Sequence, residues 1–134
     1  MPELPEVETV KESLKLRLNN KKIIRTRVLW DNIIAYPSKE KFIKETANQS
    51  INDVKRRGKF LLFDLDDYYL LSHLRMEGKY FFKTKDDDIN KHEHVIFDLD
   101  DGSELRYMDT RKFGKMYLIK KEDINKIGPL VKLG

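Results

Sequence analysis

The sequence predicts an α+β fold that is mainly β, an antiparallel β-sandwich flanked by an N-terminal helix and short helices. Three observations favour this fold. An apolar stripe at helical spacing opens the chain, short apolar segments occupy most of the rest, and turn residues separate those segments. Short connections favour antiparallel pairing of successive strands, which gives a sandwich or a barrel rather than a parallel sheet.

A helix is expected from about residue 4 to about residue 19. Pro5 suits the first turn of a helix, and Asn19-Asn20 would end it. The apolar residues of this segment recur at the spacing of one helix face: Val7, Val10, Leu14 and Leu18. A shorter helix is predicted to run to about Ala47, with Ser38 as its N-cap.

Residues 22–30 alternate in character, which is typical of a half-buried strand. The predicted faces are Ile24, Thr26, Val28 and Trp30 on one side and Arg25 and Arg27 on the other. Further strands are predicted at 51–57, 59–65, 68–74, 78–83, 94–99, 104–108 and 115–120. Asp66-Asp67 and Asp101-Gly102 are expected to form hairpin turns, and residues 84–93 a polar loop.

The composition suits one domain, taken as residues 1–131, with 132–134 as the start of a linker. A net charge of +4 and a pI of about 9.1 permit a polyanionic partner without proving one. The absence of cysteine excludes disulfides and thiolate metal sites in this segment and fits a reducing compartment. No apolar run could span a bilayer, and the acidic opening is no signal peptide, so a cytoplasmic monomer without a membrane partner is expected.

The first residues include groups that can act as a nucleophile and as a proton donor. Removal of Met1 would leave Pro2 as a free secondary amine, and an α-amino group has a pKa of roughly 8. Attack of such an amine on a sugar C1′ gives an iminium, which draws electrons for elimination. The neighbouring Glu3 could donate a proton to the sugar oxygen. The same acidic residues would also simply favour the start of a helix.

The opening Pro2-Glu3-Leu4-Pro5-Glu6-Val7-Glu8-Thr9 resembles the start of the formamidopyrimidine-DNA glycosylase family. The related endonuclease VIII type opens with Gly where this chain has Leu4. Later segments resemble the same family in order along the chain: Arg56-Arg57-Gly58-Lys59-Phe60, His73-Leu74-Arg75-Met76-Glu77-Gly78, Lys91-His92-Glu93-His94-Val95, Asp109-Thr110-Arg111-Lys112-Phe113-Gly114 and Gly128-Pro129. The sequence departs from the family at Thr110, where Pro is usual.

The resemblance implies catalytic roles for Pro2, Glu3 and Lys59. Pro2 would form a Schiff base, Glu3 would donate the proton in base excision, and Lys59 would donate the proton in β-elimination. It also implies a bifunctional glycosylase and AP lyase for oxidised purines such as 8-oxoguanine and formamidopyrimidines. The partner would be double-stranded DNA that contains oxidised bases or abasic sites.

The resemblance further implies which residues bind DNA. Met76, Arg111 and Phe113 would fill the space left by a base pulled from the duplex. His92 and Arg111 would contact the DNA backbone, and His73 would orient its loop. Arg56 and Arg57 are expected to hold phosphates together with Lys59.

Two open questions concern the extent of the chain and metal binding. The family has a C-terminal half with a helix–two-turn–helix and a four-cysteine zinc finger, so one structural zinc is expected there and no cofactor in this segment. An isolated half would have weak or no activity. Two alternatives to a glycosylase for oxidised purines remain open: a DNA-binding module without turnover, and an endonuclease VIII-type enzyme for oxidised pyrimidines. His92 and His94 would share one strand face, but the sequence offers no third metal ligand beside them.

Overall fold

The computed structural model describes residues 4–133, with side chains for residues 6–131. This part of the chain contains two α-helices, α1 (Leu4–Leu18) and α2 (Lys39–Thr46), and 3₁₀ turns at Asp31–Ile33, Lys121–Asp123 and Pro129–Leu133. Its strands are β1 (Ile23–Val28), β2 (Ile34–Tyr36), β3 (Asp53–Arg57), β4 (Phe60–Asp64), β5 (Tyr68–His73), β6 (Lys79–Thr84), β7 (Glu93–Leu99), β8 (Ser103–Met108) and β9 (Lys115–Lys120).

The strands form the predicted sandwich of two sheets. One sheet has four strands in the order β1-β7-β8-β6, and the other has five in the order β2-β9-β5-β4-β3. All pairings are antiparallel except β2 with β9. None of the described helices is long and apolar enough to cross a membrane.

Both predicted helices are confirmed, and each follows from its sequence pattern. In α1, Val7, Leu14 and Leu18 are buried on the face that packs on the sandwich, and Val10 packs beside them. The side chain of Ser38 caps α2 because its Oγ accepts the Lys41 N–H over 3.2 Å.

The five-stranded sheet is buried on both faces. Along β4, Leu61 and Phe63 point into the main core between the sheets, whereas Leu62 belongs to a second apolar cluster on the outer face. The tail of the chain covers that outer face, and Leu130 is fully buried there. This explains why β4 is apolar on nearly every position, as a strand covered on both sides requires.

Two features of the strands differ from the sequence prediction. Ile24 was expected to share the buried face with Thr26, but it is 48% exposed, and Ile23 is buried instead. A register shift between Ile23 and Arg25 in the pairing of β1 with β7 is the cause, because one extra residue reverses the alternation. The parallel strand β2 was not predicted, since three residues are too few to show a period.

Gly128 has a left-handed backbone, φ +88°, and an added Cβ would overlap the Ile119 side chain. Gly102 has nearly the same backbone, φ +87°, but open space around it. The Gly102→Ala variant should therefore lose only the left-handed penalty, about 1–2 kcal/mol. Gly128→Ala should lose about 1–3 kcal/mol more through overpacking. Urea unfolding of both variants measures the difference, and equal losses would contradict the packing of the tail on β9.

Candidate nucleic-acid interface

The register of the five-stranded sheet gathers three connecting segments at one end of the sandwich. Phe60 of β4 pairs with His73 of β5, and His73 pairs with Lys115 of β9. The turn at residues 58–59 and the loops at 74–78 and 109–114 therefore leave the sheet side by side. We call these three segments the loop end.

The four-stranded sheet brings a fourth segment to the same place. Met108, the last residue of β8, pairs with Lys79 at the start of β6 and with Glu93 at the start of β7. The Asp109 N–H donates to the His92 carbonyl over 2.9 Å, so His92 borders the loop end.

The predicted site residues that the structure describes thus lie at or beside the loop end: Arg57, Lys59, His73, Met76, His92, Arg111 and Phe113. Pro2 and Glu3, the predicted nucleophile and acid, lie outside the described residues. Glu6, in the first turns of α1, lines an open groove together with Met76. The N-terminal part of α1 is therefore next to the 74–78 loop.

The basic residues around the 58–59 turn differ in their surroundings. Lys59 is exposed and Arg57 is half-buried. Arg56, which was expected to hold phosphates, instead donates from Nε to Oε1 of Glu8 on α1 over 2.8 Å, and from NH1 to the Gly58 carbonyl over 3.0 Å. Arg56 therefore ties α1 to β3 through its ion pair with Glu8. Together with Lys11, it lowers the pKa of the Glu8 carboxyl.

His73 connects β5 to the loop that carries Met76. Its Nδ1 accepts the Arg75 N–H over 3.2 Å, and its ring packs edge-on against Phe60 with 4.7 Å between centroids. Partial burial, with the charges of Arg75 and Lys59 nearby, lowers the pKa of His73 to about 4. The imidazole is therefore neutral at pH 7 and remains an acceptor, which supports the interpretation of His73 as a loop-orienting residue.

The 74–78 loop presents Met76 to solvent with 57% of its surface exposed. The residue before it, Arg75, has a left-handed backbone at φ 57°. Such a conformation is uncommon for a non-glycine residue, and it turns the chain so that Met76 points away from the core. Gly78 closes the loop by donating its N–H to the Leu74 carbonyl over 2.9 Å.

The 109–114 loop exposes a basic and an aromatic side chain together. Phe113 is 49% exposed, and the Arg111 guanidinium lies 5.1 Å from the centre of its ring. Lys112 between them has a left-handed backbone, φ 59°, and its Nζ lies 5.1 Å from the Trp30 ring centre. The exposure of Met76 and Phe113 places both side chains in loops rather than in the core.

The two histidines of the His92-Glu93-His94 segment have different environments. His94 is buried, and its Nε2 lies 2.7 Å from the Asp109 carbonyl. His92 is partly exposed and donates its backbone N–H to Asn90 Oδ1 over 2.8 Å. No group of three histidine, aspartate or glutamate side chains that could hold a metal occurs among the described residues.

Sequence reasoning missed the polar residues that hold this end together. Arg106 is buried with Glu93 and Glu104, although charged residues in a strand usually indicate a solvated face. Tyr107 and Asp109 are fully buried as well. The available signal was that Asp109 directly follows a strand and precedes a glycine-containing turn, where an aspartate commonly accepts backbone N–H groups.

Comparisons with known proteins place the chain in a family. The chain matches the family model described as Formamidopyrimidine-DNA glycosylase N-terminal domain over residues 1–116. Formamidopyrimidine-DNA glycosylases from Shouchella clausii and Enterococcus faecalis are 51% and 48% identical to it over 100% of its length. The chain spans about half the length of these curated relatives, 49% and 48%.

Solved structures agree with the sequence matches. Lactococcus lactis FPG (MutM) in complex with FAPY-dG-containing DNA has a TM-score of 0.86 and 40% identity, over 91% of this chain and 46% of that chain. Lactococcus lactis Fpg bound to DNA with an abasic site has a TM-score of 0.87 over 92% of this chain and 46% of that chain.

The helix-flanked sandwich with its basic, loop-lined end is the architecture of the N-terminal half of a DNA glycosylase. The chain belongs to the formamidopyrimidine-DNA glycosylase family, as the resemblance of its motifs implied.

The lowered pKa of His73 has a consequence for stability. Because the pKa is near 6.5 in an unfolded chain and about 4 in the folded one, the unfolded state binds more protons between these values. The contribution of His73 should be complete above pH 6.5 and should fall as the pH drops towards 4. His73→Asn keeps an acceptor near the Arg75 N–H but cannot titrate.

NMR titration of His73 and urea unfolding of both proteins across this pH range check the prediction. The wild type should lose more stability than His73→Asn as the pH falls. A midpoint for His73 near 6.5 would contradict it.

Proposed function

We propose that this chain is the N-terminal catalytic half of a base-excision-repair enzyme, a DNA glycosylase with AP lyase activity for oxidised purines. The observation that carries the proposal is that separate motifs of this family meet at the loop end. Purine lesions such as 8-oxoguanine and formamidopyrimidines are the proposed substrates, and the complex of the L. lactis relative with FAPY-dG-containing DNA supports this class.

In the proposed chemistry, Pro2 is the nucleophile once Met1 has been removed. Its nitrogen lone pair bonds to C1′ of the damaged nucleotide, and the glycosidic bond breaks with its electrons on the base, which takes up the proton that the Pro2 nitrogen loses. Glu3 donates a proton to the sugar ring oxygen as the ring opens, and the nitrogen becomes an iminium. The C2′ proton then passes to water while the electrons of its bond move to the iminium. The 3′ C–O bond breaks with its electrons on the departing phosphate oxygen, and Lys59 is the proton donor of this elimination.

The DNA contacts are proposed for the exposed side chains of the loop end. Arg57, His92 and Arg111 would hold phosphates, and a basic surface positions a duplex without reading its sequence. Met76 and Phe113 would enter the space left by the everted base, as apolar wedges do in kinked DNA. Arg111 would also donate to the orphaned base on the other strand. The exposure of Met76 and Phe113 supports these roles, because large apolar side chains in solvent commonly mark a binding surface.

The complete protein is proposed to have a second half. The curated relatives are about twice as long as this chain, and the family resemblance implies a helix–two-turn–helix and a zinc finger there. The zinc would be structural and held by four cysteines, none of which this chain supplies. DNA would lie between the two halves.

Borohydride trapping tests the nucleophile in the complete protein on a duplex with 8-oxoguanine. With Met1 removed, the iminium should be reduced to a stable protein–DNA adduct. A form that retains Met1 should give no adduct, because the amide nitrogen of Pro2 has no available lone pair. Adduct formation by the Met1-retaining form would identify another nucleophile, such as Lys59.

Substitution of the proposed acid tests the second role. Glu3→Gln should slow base excision about 10²- to 10⁴-fold, since an amide cannot donate a carboxyl proton, while duplex binding is retained. Glu12→Gln is the matched control, because Glu12 lies on the exposed side of α1 and pairs with Lys11. Single-turnover excision measures both, and equal rates for the two variants would remove Glu3 from the mechanism.

The salt dependence of the duplex affinity tests the phosphate contacts proposed for this chain alone. The basic groups proposed to contact phosphates are Arg57, Lys59, His92 and Arg111. Three or four phosphate contacts predict a slope of log affinity against log salt of about −3. Arg111→Gln should make the slope shallower by about 1. The control Lys44→Gln, on α2, should leave it unchanged, and an affinity that ignores salt would contradict the electrostatic account.

A further inference from the structure

Two buried polar groups join the loops that carry the proposed space-filling residues. They are the hydroxyl of Tyr107, near the end of β8, and the carboxylate of Asp109, just after it. Both residues are 0% exposed. A buried carboxylate is costly unless hydrogen bonds satisfy it, so its partners show what it holds in place.

The Asp109 carboxylate accepts four hydrogen bonds, three of them from the backbone of its own loop. Oδ1 accepts the N–H groups of Arg111 and Lys112, each over 3.1 Å. Oδ2 accepts the Gly114 N–H over 2.8 Å and the Tyr107 hydroxyl over 3.1 Å. These bonds hold the left-handed turn at Lys112 from which Arg111 and Phe113 project.

The Tyr107 hydroxyl also contacts the other loop. A Cβ added to Gly114 would overlap this hydroxyl, and one added to Gly78 would approach it to 2.5 Å. The two loops therefore pack closely on the same oxygen atom, and the glycines permit the approach. Burial, with Tyr80 and Asp109 nearby, raises the pKa of Tyr107, so its hydroxyl stays protonated and donates to Asp109.

We propose that Asp109, held by the Tyr107 hydroxyl, is a positioning residue that presets Arg111 and Phe113 for insertion into duplex DNA and links their loop to that of Met76. The inference rests on the proposed function. A loop already fixed in its bound shape loses less conformational entropy on binding, and small misplacements of such groups slow the reaction strongly.

The test compares two abasic-site substrates in the complete protein, one in a duplex and one in a single strand. A single strand leaves no gap in a base stack to fill, so only the duplex needs the insertion. Asp109→Asn keeps the size of the side chain but places an NH₂ group against the N–H donors. Its kcat/KM on the duplex should fall about 10- to 100-fold, with little change on the single strand. Equal losses on both substrates would mean general damage to the fold and would overturn the proposal.

Two further variants keep the test decisive. Asp101→Asn is the matched control, because Asp101 also accepts a backbone N–H, that of Ser103, but lies in the hairpin turn at the opposite end of β8. It should leave both activities unchanged. Tyr107→Phe removes only the hydroxyl and should show the same selective loss on the duplex, smaller in size, even if Asp109→Asn does not fold.

Hydrogen exchange of the backbone N–H groups, measured without DNA, reports directly on the order of the 109–114 loop. The N–H groups of Arg111, Lys112 and Gly114 should exchange faster in Asp109→Asn, or in Tyr107→Phe if the first variant is unfolded, while those of β8 keep their protection. Unchanged exchange in the loop would overturn the proposal.

Arg111→Ala separates this inference from the proposed function. If that variant loses duplex activity selectively and Asp109→Asn does not, the positioning role alone is wrong. If Arg111→Ala shows no selective loss, the proposed insertion of this loop is wrong, and the inference falls with it.

Discussion

The buried guanidinium of Arg106 holds the connection between β6 and β7 and the start of β7, beside the loop end. Its side chain is 1% exposed on the face of β8 away from the core, and it donates to both Glu93 and Glu104. Its remaining N–H groups donate to the carbonyls of Thr84, Asp87 and Asp88. Breaking a buried ion pair costs about 3–5 kcal/mol because it leaves an unpaired charge. Loss of Arg106, Glu93 or Glu104 should therefore destabilise the connection between β6 and β7 as well. The start of β7 and the neighbouring His92 are thereby fixed.

Because side chains alternate between the two faces of β8, the neighbours Arg106 and Tyr107 support different segments. Arg106 faces outward and secures the connection between β6 and β7, whereas Tyr107 faces inward and reaches the 74–78 and 109–114 loops. One strand thus supports every segment of the loop end except the 58–59 turn. Above it, Met76 and Phe113 keep about half of their surface in solvent. Such local departures from good burial are expected where a surface serves a partner rather than the fold.

Most of the fold could be predicted because its elements have strong local patterns. The strands from β3 to β9 are short segments between turn residues, several of them rich in apolar residues, and α1 has a regular apolar stripe. The register shift at Ile23 and the parallel strand β2 could not be predicted, since both depend on pairing with distant strands. The motifs indicated which residues meet at the loop end. They did not show that Arg56 is paired with Glu8, because a sequence alone does not say which charges are already neutralised.

The tail that covers the outer face of the five-stranded sheet sets an order for folding during synthesis. A chain leaves the ribosome from its N-terminus, so β4, β5 and β9 all emerge before Leu130. Until then Leu62, Leu71 and Ile119 lack the one fully buried side chain that the tail packs on their outer side. A sheet that forms before Leu130 emerges therefore has part of an apolar face open to water, which is the kind of surface that chaperones bind. The last few residues of the domain end that exposure.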